Sequence, residues 1–204
     1  MMANMTTNRT SGAPSSEAYT FKAGKPMQLI IGHERNPGGR VVLTVSEPHM
    51  RNLSARWAEL VARQKSKCRL QPSGAKKIRL REEDGRTMCI YMSIAHLQFQ
   101  QLPDHVDFPE IVRLAEAAER FDMHHLLAAH IGRWVSPYRS KLMHKGYEEW
   151  LFVAYHFGYE GEYLNLAKYL AMNCRTGEGG VLLAPGRDDA LTGLFPPRAL
   201  GLLF

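Results

Sequence analysis

The stretch DFPEIVRLAEAAERFDMHHLLAAHIGRWV, residues 107–135, sets how the rest of the chain is read. Asp107 is a good helix cap, and Glu110 stands three residues later, the spacing of a capping box. Pro109 falls in the first turn, where backbone N–H groups have no intrahelical partner to lose. Ile111, Leu114, Ala115 and Ala118 then recur at helix spacing, with Glu110, Arg113, Glu116 and Arg120 expected toward water. Asp122 is expected to cap a second helix, whose apolar stripe is Met123, Leu126, Leu127, Ile131 and Trp134. Ala117, Ala118, Ala128 and Ala129 are small enough to let two such helices approach closely. The pattern is one of packing, and it contains no catalytic signature.

Upstream of this hub the period changes. Met27 to Ile31 and Val41 to Val45 are short apolar runs of strand-forming residues. Asn36, Pro37, Gly38 and Gly39 between them supply turn chemistry, so the two runs are expected to pair as an antiparallel hairpin. SEPHMRNLSARWAELVARQ follows, with Ser46 before Glu47 and Pro48 as one helix start and Ser54 as a second. His49 reads as a partly buried polar residue at a helix start rather than a base or ligand. Trp57, Leu60 and Val61 form the apolar stripe of the second helix. Residues 63–81 then carry eight Lys or Arg and no acid. Within them Ile78 and Leu80 alternate with Lys77, Arg79 and Arg81, the signature of a half-exposed strand. Glu82, Glu83 and Asp84 lead into a helix with Met88, Tyr91, Met92, Ala95 and Leu97 on one broad face.

Downstream, Trp150, Val153, Ala154 and Phe157 share a helical side, widened by Leu151 and Tyr155, and Gly158 is placed to stop that helix. A further helix from Gly161 to Cys174 turns Tyr163, Leu166, Ala167 and Leu170 inward. Residues 1–24 are Ser-, Thr-, Asn- and Gly-rich without periodicity and read as a disordered arm. The Gly- and Pro-containing residues 176–204 read as a loose tail or a docking peptide.

Composition narrows the function classes. The chain has 204 residues, a formal net charge of +6 and 45% hydrophobic residues, values ordinary for a globular protein. Its basicity permits acidic partners without requiring them. Three scattered cysteines, Cys68, Cys89 and Cys174, make no disulfide framework and fit a reducing compartment. No run of about 18 apolar residues suggests a membrane span and no secretory signal is visible, so an intracellular, cytoplasmic or nuclear protein is expected. There is no Gly-rich phosphate loop, no HExxH, no GxSxG and no CxxC. Cys89 and His96 lie seven apart with no further ligands at metal spacing. His124 and His125 are adjacent and point about 100° apart on a helix, and His130 follows later, so none forms a local catalytic pair. No metal, cofactor or enzymatic activity is expected.

The order strand, strand, short helix, helix, basic strand, helix, helix pair resembles the BTB/POZ domain in its divergent fungal form. The residues carrying the resemblance are VLTVSEPHMRNLSARWAELV at 42–61 and KIRLREEDGRTMCIYMSIAHLQF at 77–99. They continue with LPDHVDFPEIVRLAEAAERFDMHHLLAAHIGRW at 102–134 and EEWLFVAYHFGYEGEYLNLAKYLAMN at 148–173. The resemblance implies an α+β fold, a small mixed sheet packed on a helical cluster, over residues 25–135, with a helical extension over 136–175. It also implies a non-enzymatic protein-interaction module, an adaptor or scaffold in a regulatory complex. Two positions depart from the family. Met27 stands where an aspartate is usual, and Ser46 and Glu47 stand near the customary histidine–basic pair, places that shape the dimer in homodimeric members. Leu102-Pro103-Asp104 falls near the hydrophobic-x-acidic motif of members that recruit cullin-type ubiquitin ligases, with Asp where Glu is favoured.

Lys76, Lys77, Arg79 and Arg81 are the candidate partner-binding residues. The expected partner is a protein, a second copy of the chain among the candidates. The alternatives are a ubiquitin-ligase substrate adaptor and a transcription-related protein that holds nucleic-acid phosphate through residues 63–81. No aromatic residue interleaves with those charges, so the stacking signature for single strands is missing.

Overall fold

The computed structural model describes residues 17–21, 24–33, 40–68, 76–199 and 201, with 64–68 as backbone alone. They form an α+β fold. Strands β1 (Glu17–Thr20), β2 (Pro26–Ile31) and β3 (Val41–Ser46) come first, then helices α1 (Glu47–Leu53) and α2 (Ala55–Cys68). Strand β4 (Lys77–Leu80) and helix α3 (Gly85–Ala95) follow, then α4 (Phe108–Phe121), α5 (His124–Leu127), α6 (Ile131–Val135), α7 (Trp150–Phe157) and α8 (Glu160–Asn173). Two short strands, β5 (Arg175–Thr176) and β6 (Leu182–Leu183), lie near the end. No helix among the described residues is long and apolar enough to cross a membrane.

Contacts divide the chain into two compact units. The first holds the described residues up to Asp104 together with Ala117–Leu127, and the second holds His105–Glu116 with the described residues from Ala128 onward. Residues 128–135, expected in the first domain, and 176–199, expected as a tail, both fall in the second unit.

In the first unit the four strands make one mixed sheet in the order β1-β3-β2-β4. The expected hairpin is present, with Pro26 opposite Ser46 and Ile31 opposite Val41. β4 lies parallel to β2, with α1 and α2 in the crossover. Side-chain parity separates the two faces. Met27, Leu29, Ile31, Leu43, Val45 and Ile78 are buried on the inner face, while Lys77 and Arg79 are exposed on the outer one.

The helix ends follow local chemistry. Asp84 caps α3 by accepting a 2.9 Å hydrogen bond from the Thr87 backbone N–H. Gly85 behind it is required by close approach, since a Cβ there would stand 2.5 Å from Val41 Cγ2. Ser54 accepts from the Trp57 N–H at 3.2 Å and donates its hydroxyl to the Phe121 carbonyl at 2.6 Å. The Trp57 ring stacks on Phe121, and its indole N–H reaches Met123 Sδ at 3.1 Å. Leu97, expected on the buried face of α3, is outside it with a positive φ of 58° and 72% exposure.

Several expectations require correction. The arm is not structureless throughout: β1 pairs in parallel with β3, and Phe21 is buried. EAYT is only four residues long with two strand formers, Tyr19 and Thr20, and its partner is reached without a tight turn, so no hairpin signal marks it. Residues 1–16 and 22–23 lie outside the described residues, as does the 34–39 turn.

The second helix of the hub is broken into α5, a turn and α6, followed by a 3₁₀ segment, Ser136–Lys141. Asp122 does not cap it. Asp122 ends α4 in the left-handed conformation, with its N–H donating to the Glu119 carbonyl and the Met123 N–H donating to that of Ala118. This is a Schellman-type stop with Asp in the place usually held by Gly. Ala128 and Ala129 are consequently exposed rather than packed.

In the second unit Asp107 caps α4 as expected, accepting from the Glu110 N–H at 2.8 Å. The Glu110 side chain, expected toward water, is 1% exposed and pairs with Arg113 at 2.9 Å. Phe108 packs on Tyr138, Tyr147 and Trp150. The Trp150 indole donates to the Tyr138 carbonyl at 3.1 Å, and the Tyr138 hydroxyl to that of Val106 at 3.0 Å. Gly158 stops α7 in the left-handed conformation, while Tyr155 points out at 52% exposure.

The segment read as a loose tail is tied down. β5 and β6 pair antiparallel, Arg187 meets Glu148 at 2.7 Å, and the Leu194 N–H donates to Glu149 Oε1 at 2.7 Å. Gly193 has a φ of 120° and a Cβ there would stand 2.7 Å from the Glu149 side chain, so glycine is required. Isolated apolar residues gave no period to show this, yet Ala184, Pro196 and Ala199 are buried.

Candidate functional site

The sequence-predicted basic residues divide by strand parity. Lys76 precedes β4 on the parity of Ile78 and Leu80, and its ammonium turns inward onto the Glu47 carboxylate. Glu47 opens α1 with only 3% of its side chain exposed, and it also meets Arg51 at 2.9 Å and Lys25 at 3.6 Å. Burial pushes the Glu47 carboxyl up, but hydrogen bonds from Lys76 and Arg51 and the nearby positive charges outweigh it and hold it down at about 2. Three cations thus compensate one buried anion, and Lys76 is a structural residue. The only sequence signal for this was an acid in the first helical turn.

Lys77, Arg79 and Arg81 have the opposite parity and are exposed. Among the described residues no acid lies in ion-pair range of any of the three. Gly32 extends β2, and its N–H donates to the Leu80 carbonyl at 2.9 Å. Ile31 faces Val41 on one side and Leu80 on the other. Continuing that register by one residue sets Gly32 between Arg40 and Arg81. The middle strand therefore presents no side chain between two arginines. Arg79 is two residues before Arg81 on the same face, and Ile30 lies opposite Arg79. Ile30, Gly32, His33, Arg40, Arg79 and Arg81 line one concave notch of about 310 Å³.

Arg40, His33 and Gly32 were missed from the sequence. Arg40 has the parity of the outward Val42 and Thr44, which is the signal that would have found it. Gly32 belonged to a loop whose register was unknown.

A second cavity, about 400 Å³, lies between β1 and the start of α3 and is lined by Tyr19, Phe21, Val41, Gly85, Cys89 and Ile90 among others. The Tyr19 hydroxyl donates to Glu17 at 2.8 Å. Burial, this hydrogen bond and the neighbouring Cys89 and Glu17 push its pKa up to about 12, so the phenol stays protonated. Cys89 and Cys174 are not joined in disulfides. Burial, then Glu148, pushes Cys174 up, away from thiolate chemistry.

His96 makes structural contacts. His96 accepts the Ser46 N–H on Nε2 at 3.1 Å and places Nδ1 2.9 Å from the Met92 carbonyl, an arrangement that the neutral ring satisfies with Nδ1–H donating. Burial lowers its pKa, opposed by the Met92 bond and aided by His49. His49 is exposed rather than half-buried, with its ring 5.3 Å from His96. His124, His125 and His130 line neither cavity, and His130 stacks on Trp134. Among the described residues no group of three His, Cys, Asp or Glu is placed to hold a metal ion.

No protein-family model matches the chain, and no curated protein matches it.

Proposed function

We propose that the chain is a non-enzymatic protein-interaction module built on a BTB/POZ-like domain, whose basic sheet rim meets an acidic stretch of a protein partner. The observation that carries this reading is β4 itself. It is an edge strand, it buries Ile78 and Leu80, and it displays Lys77 and Arg79, with Arg81 just beyond, and none of the three is in an ion pair among the described residues. Such an edge resists indiscriminate pairing through its charges and still offers a site for a complementary chain. The BTB/POZ part of the reading is supported by the element order and by the hairpin β2–β3 with β4 parallel to β2 across two helices. A cullin-type ligase scaffold is one partner of this kind, since Leu102-Pro103-Asp104 follows the 3₁₀ turn Phe99–Gln101 and exposes Asp104.

The test is affinity capture from the native cell type with the full chain and with K77E/R79E/R81E, beside light scattering for self-association. Expected is a set of proteins held by the wild type and lost by the triple variant at unchanged melting temperature. The same proteins on both baits overturn the reading. Capture of no protein, with salt-sensitive binding to a random DNA duplex, transfers it to the nucleic-acid class.

A further inference from the structure

We propose that the notch between Arg40, Arg79 and Arg81 binds a phosphate monoester, presented as a phosphoserine or phosphothreonine side chain of the protein partner. The proposal rests on the interaction reading above and specifies what the partner carries.

The geometry begins with Gly32. A residue with a side chain there would fill the row between Arg40 and Arg81, and the φ of 72° at Gly32 also disfavours one. The opening is therefore built into the backbone. Arg79 is exposed on the outer face of β4, Arg81 directly follows that strand, and Arg40 directly precedes β3 on the other side of β2. Arg40, Arg79 and Arg81 line one concavity of about 310 Å³ together with Ile30, Gly32 and His33. Guanidinium forks match the oxygens of a phosphate in pairs. A monoester carries nearly two negative charges at neutral pH on three acceptor oxygens, which suits a compact site with several cations. A nucleic-acid backbone instead spreads single charges along a track, and single strands add base stacking. None of the lining residues is a Phe, Tyr or Trp. The notch also adjoins β4, which is an edge strand among the described residues and can take an extended peptide beside it.

The test uses the full chain and immobilised degenerate peptides centred on phosphoserine or on serine, with inorganic phosphate, phosphoserine and a random DNA duplex as competitors at matched ionic strength. The wild type is expected to retain the phosphorylated peptides at least about tenfold better than the serine ones. R79Q/R81Q should lose that preference at unchanged melting temperature. R56Q/R63Q removes the same charge from α2 and should keep it. Phosphoserine is expected to compete more effectively than chloride at equal ionic strength.

Equal retention of serine and phosphoserine peptides overturns the proposal, even if inorganic phosphate binds. A preference that survives in R79Q/R81Q overturns the site. Retention lost to the DNA duplex at far lower phosphate concentration than to phosphoserine assigns the notch to nucleic acid instead. If the captured partners are still lost in K77E/R79E/R81E but stay bound to the wild type after phosphatase treatment, the interaction module stands and the phosphate monoester falls.

Discussion

Lys76 and Arg79 stand three residues apart in one basic run, yet Lys76 ends on a buried carboxylate and Arg79 at an exposed notch. Around Glu47 an anion was buried first, and three cations compensate it. Around Gly32 three cations were gathered with no acid on Arg79 or Arg81 among the described residues. A buried charge is tolerated only when paired, so the first cluster belongs to stability. Arg79 and Arg81 are exposed like charges, which contribute little to folding and can meet a ligand. The sequence shows eight positive residues of similar weight within 63–81, and for the four at β4 strand parity separates Lys76 from the other three.

The comparison breaks most readily at Glu47. E47Q keeps the volume and leaves Lys76 and Arg51 without their counter-charge, and is expected to cost about 3 kcal/mol in denaturant unfolding. A loss below about 1 kcal/mol would mean that the cluster is not structural. The same residue sets an acid limit. The Glu47 carboxyl is held at about 2 against an ordinary value of 4.5, so its contribution is present above pH 4.5 and lost as the pH falls toward 2. His96, lowered from 6.5 by burial, His49 adding to it, adds a separate loss as the pH falls below 6.5, because the unfolded ring takes up the proton more readily. The wild-type and E47Q profiles should run apart above pH 4.5 and converge as the pH falls toward 2, while the His96 loss is common to both.

Next in size is the C-terminal anchor. E149A removes the acceptor of the Leu194 N–H and should cost about 1.5 kcal/mol, with faster proteolytic cleavage in residues 185–199. Unchanged cleavage would return that segment to the status of a tail. The smallest effect sharpens the opposite pole. R79Q/R81Q is expected to change unfolding free energy by less than about 0.5 kcal/mol. A larger loss would make the notch a second structural cluster.

Local signals made much of this legible. The hairpin followed from two strand-forming runs around a turn, the α3 start from Asp84, the α4 start from Asp107, and the α7 stop from Gly158. The helix starts and the helix stop each depend on residues within four positions of one another, and the hairpin on two neighbouring runs. What stayed hidden depends on distant partners. β1 exists through its pairing with β3, and Glu110 gave no sign of burial because its spacing matched the polar side of α4. Asp122 carries both a cap and a stop meaning, and only the hydrogen bond from Met123 to Ala118 selects the second. At the candidate site three of the four predicted residues share the outer face, and the register that brings Gly32 and Arg40 to them is a property of the sheet.

The strand order also sets a timetable for folding. β2 and β3 are joined by a short connection and can zip early, whereas β4 must wait for the α1–α2 crossover to bring it alongside β2. Weakening the outward Val42 or Thr44 is therefore expected to slow refolding, and weakening Ile78 mainly to speed unfolding, as measured by stopped-flow chevrons. The arginine notch spans all three strands, so it is completed late, and a nascent chain carries Arg79 and Arg81 apart from Arg40 until the sheet closes.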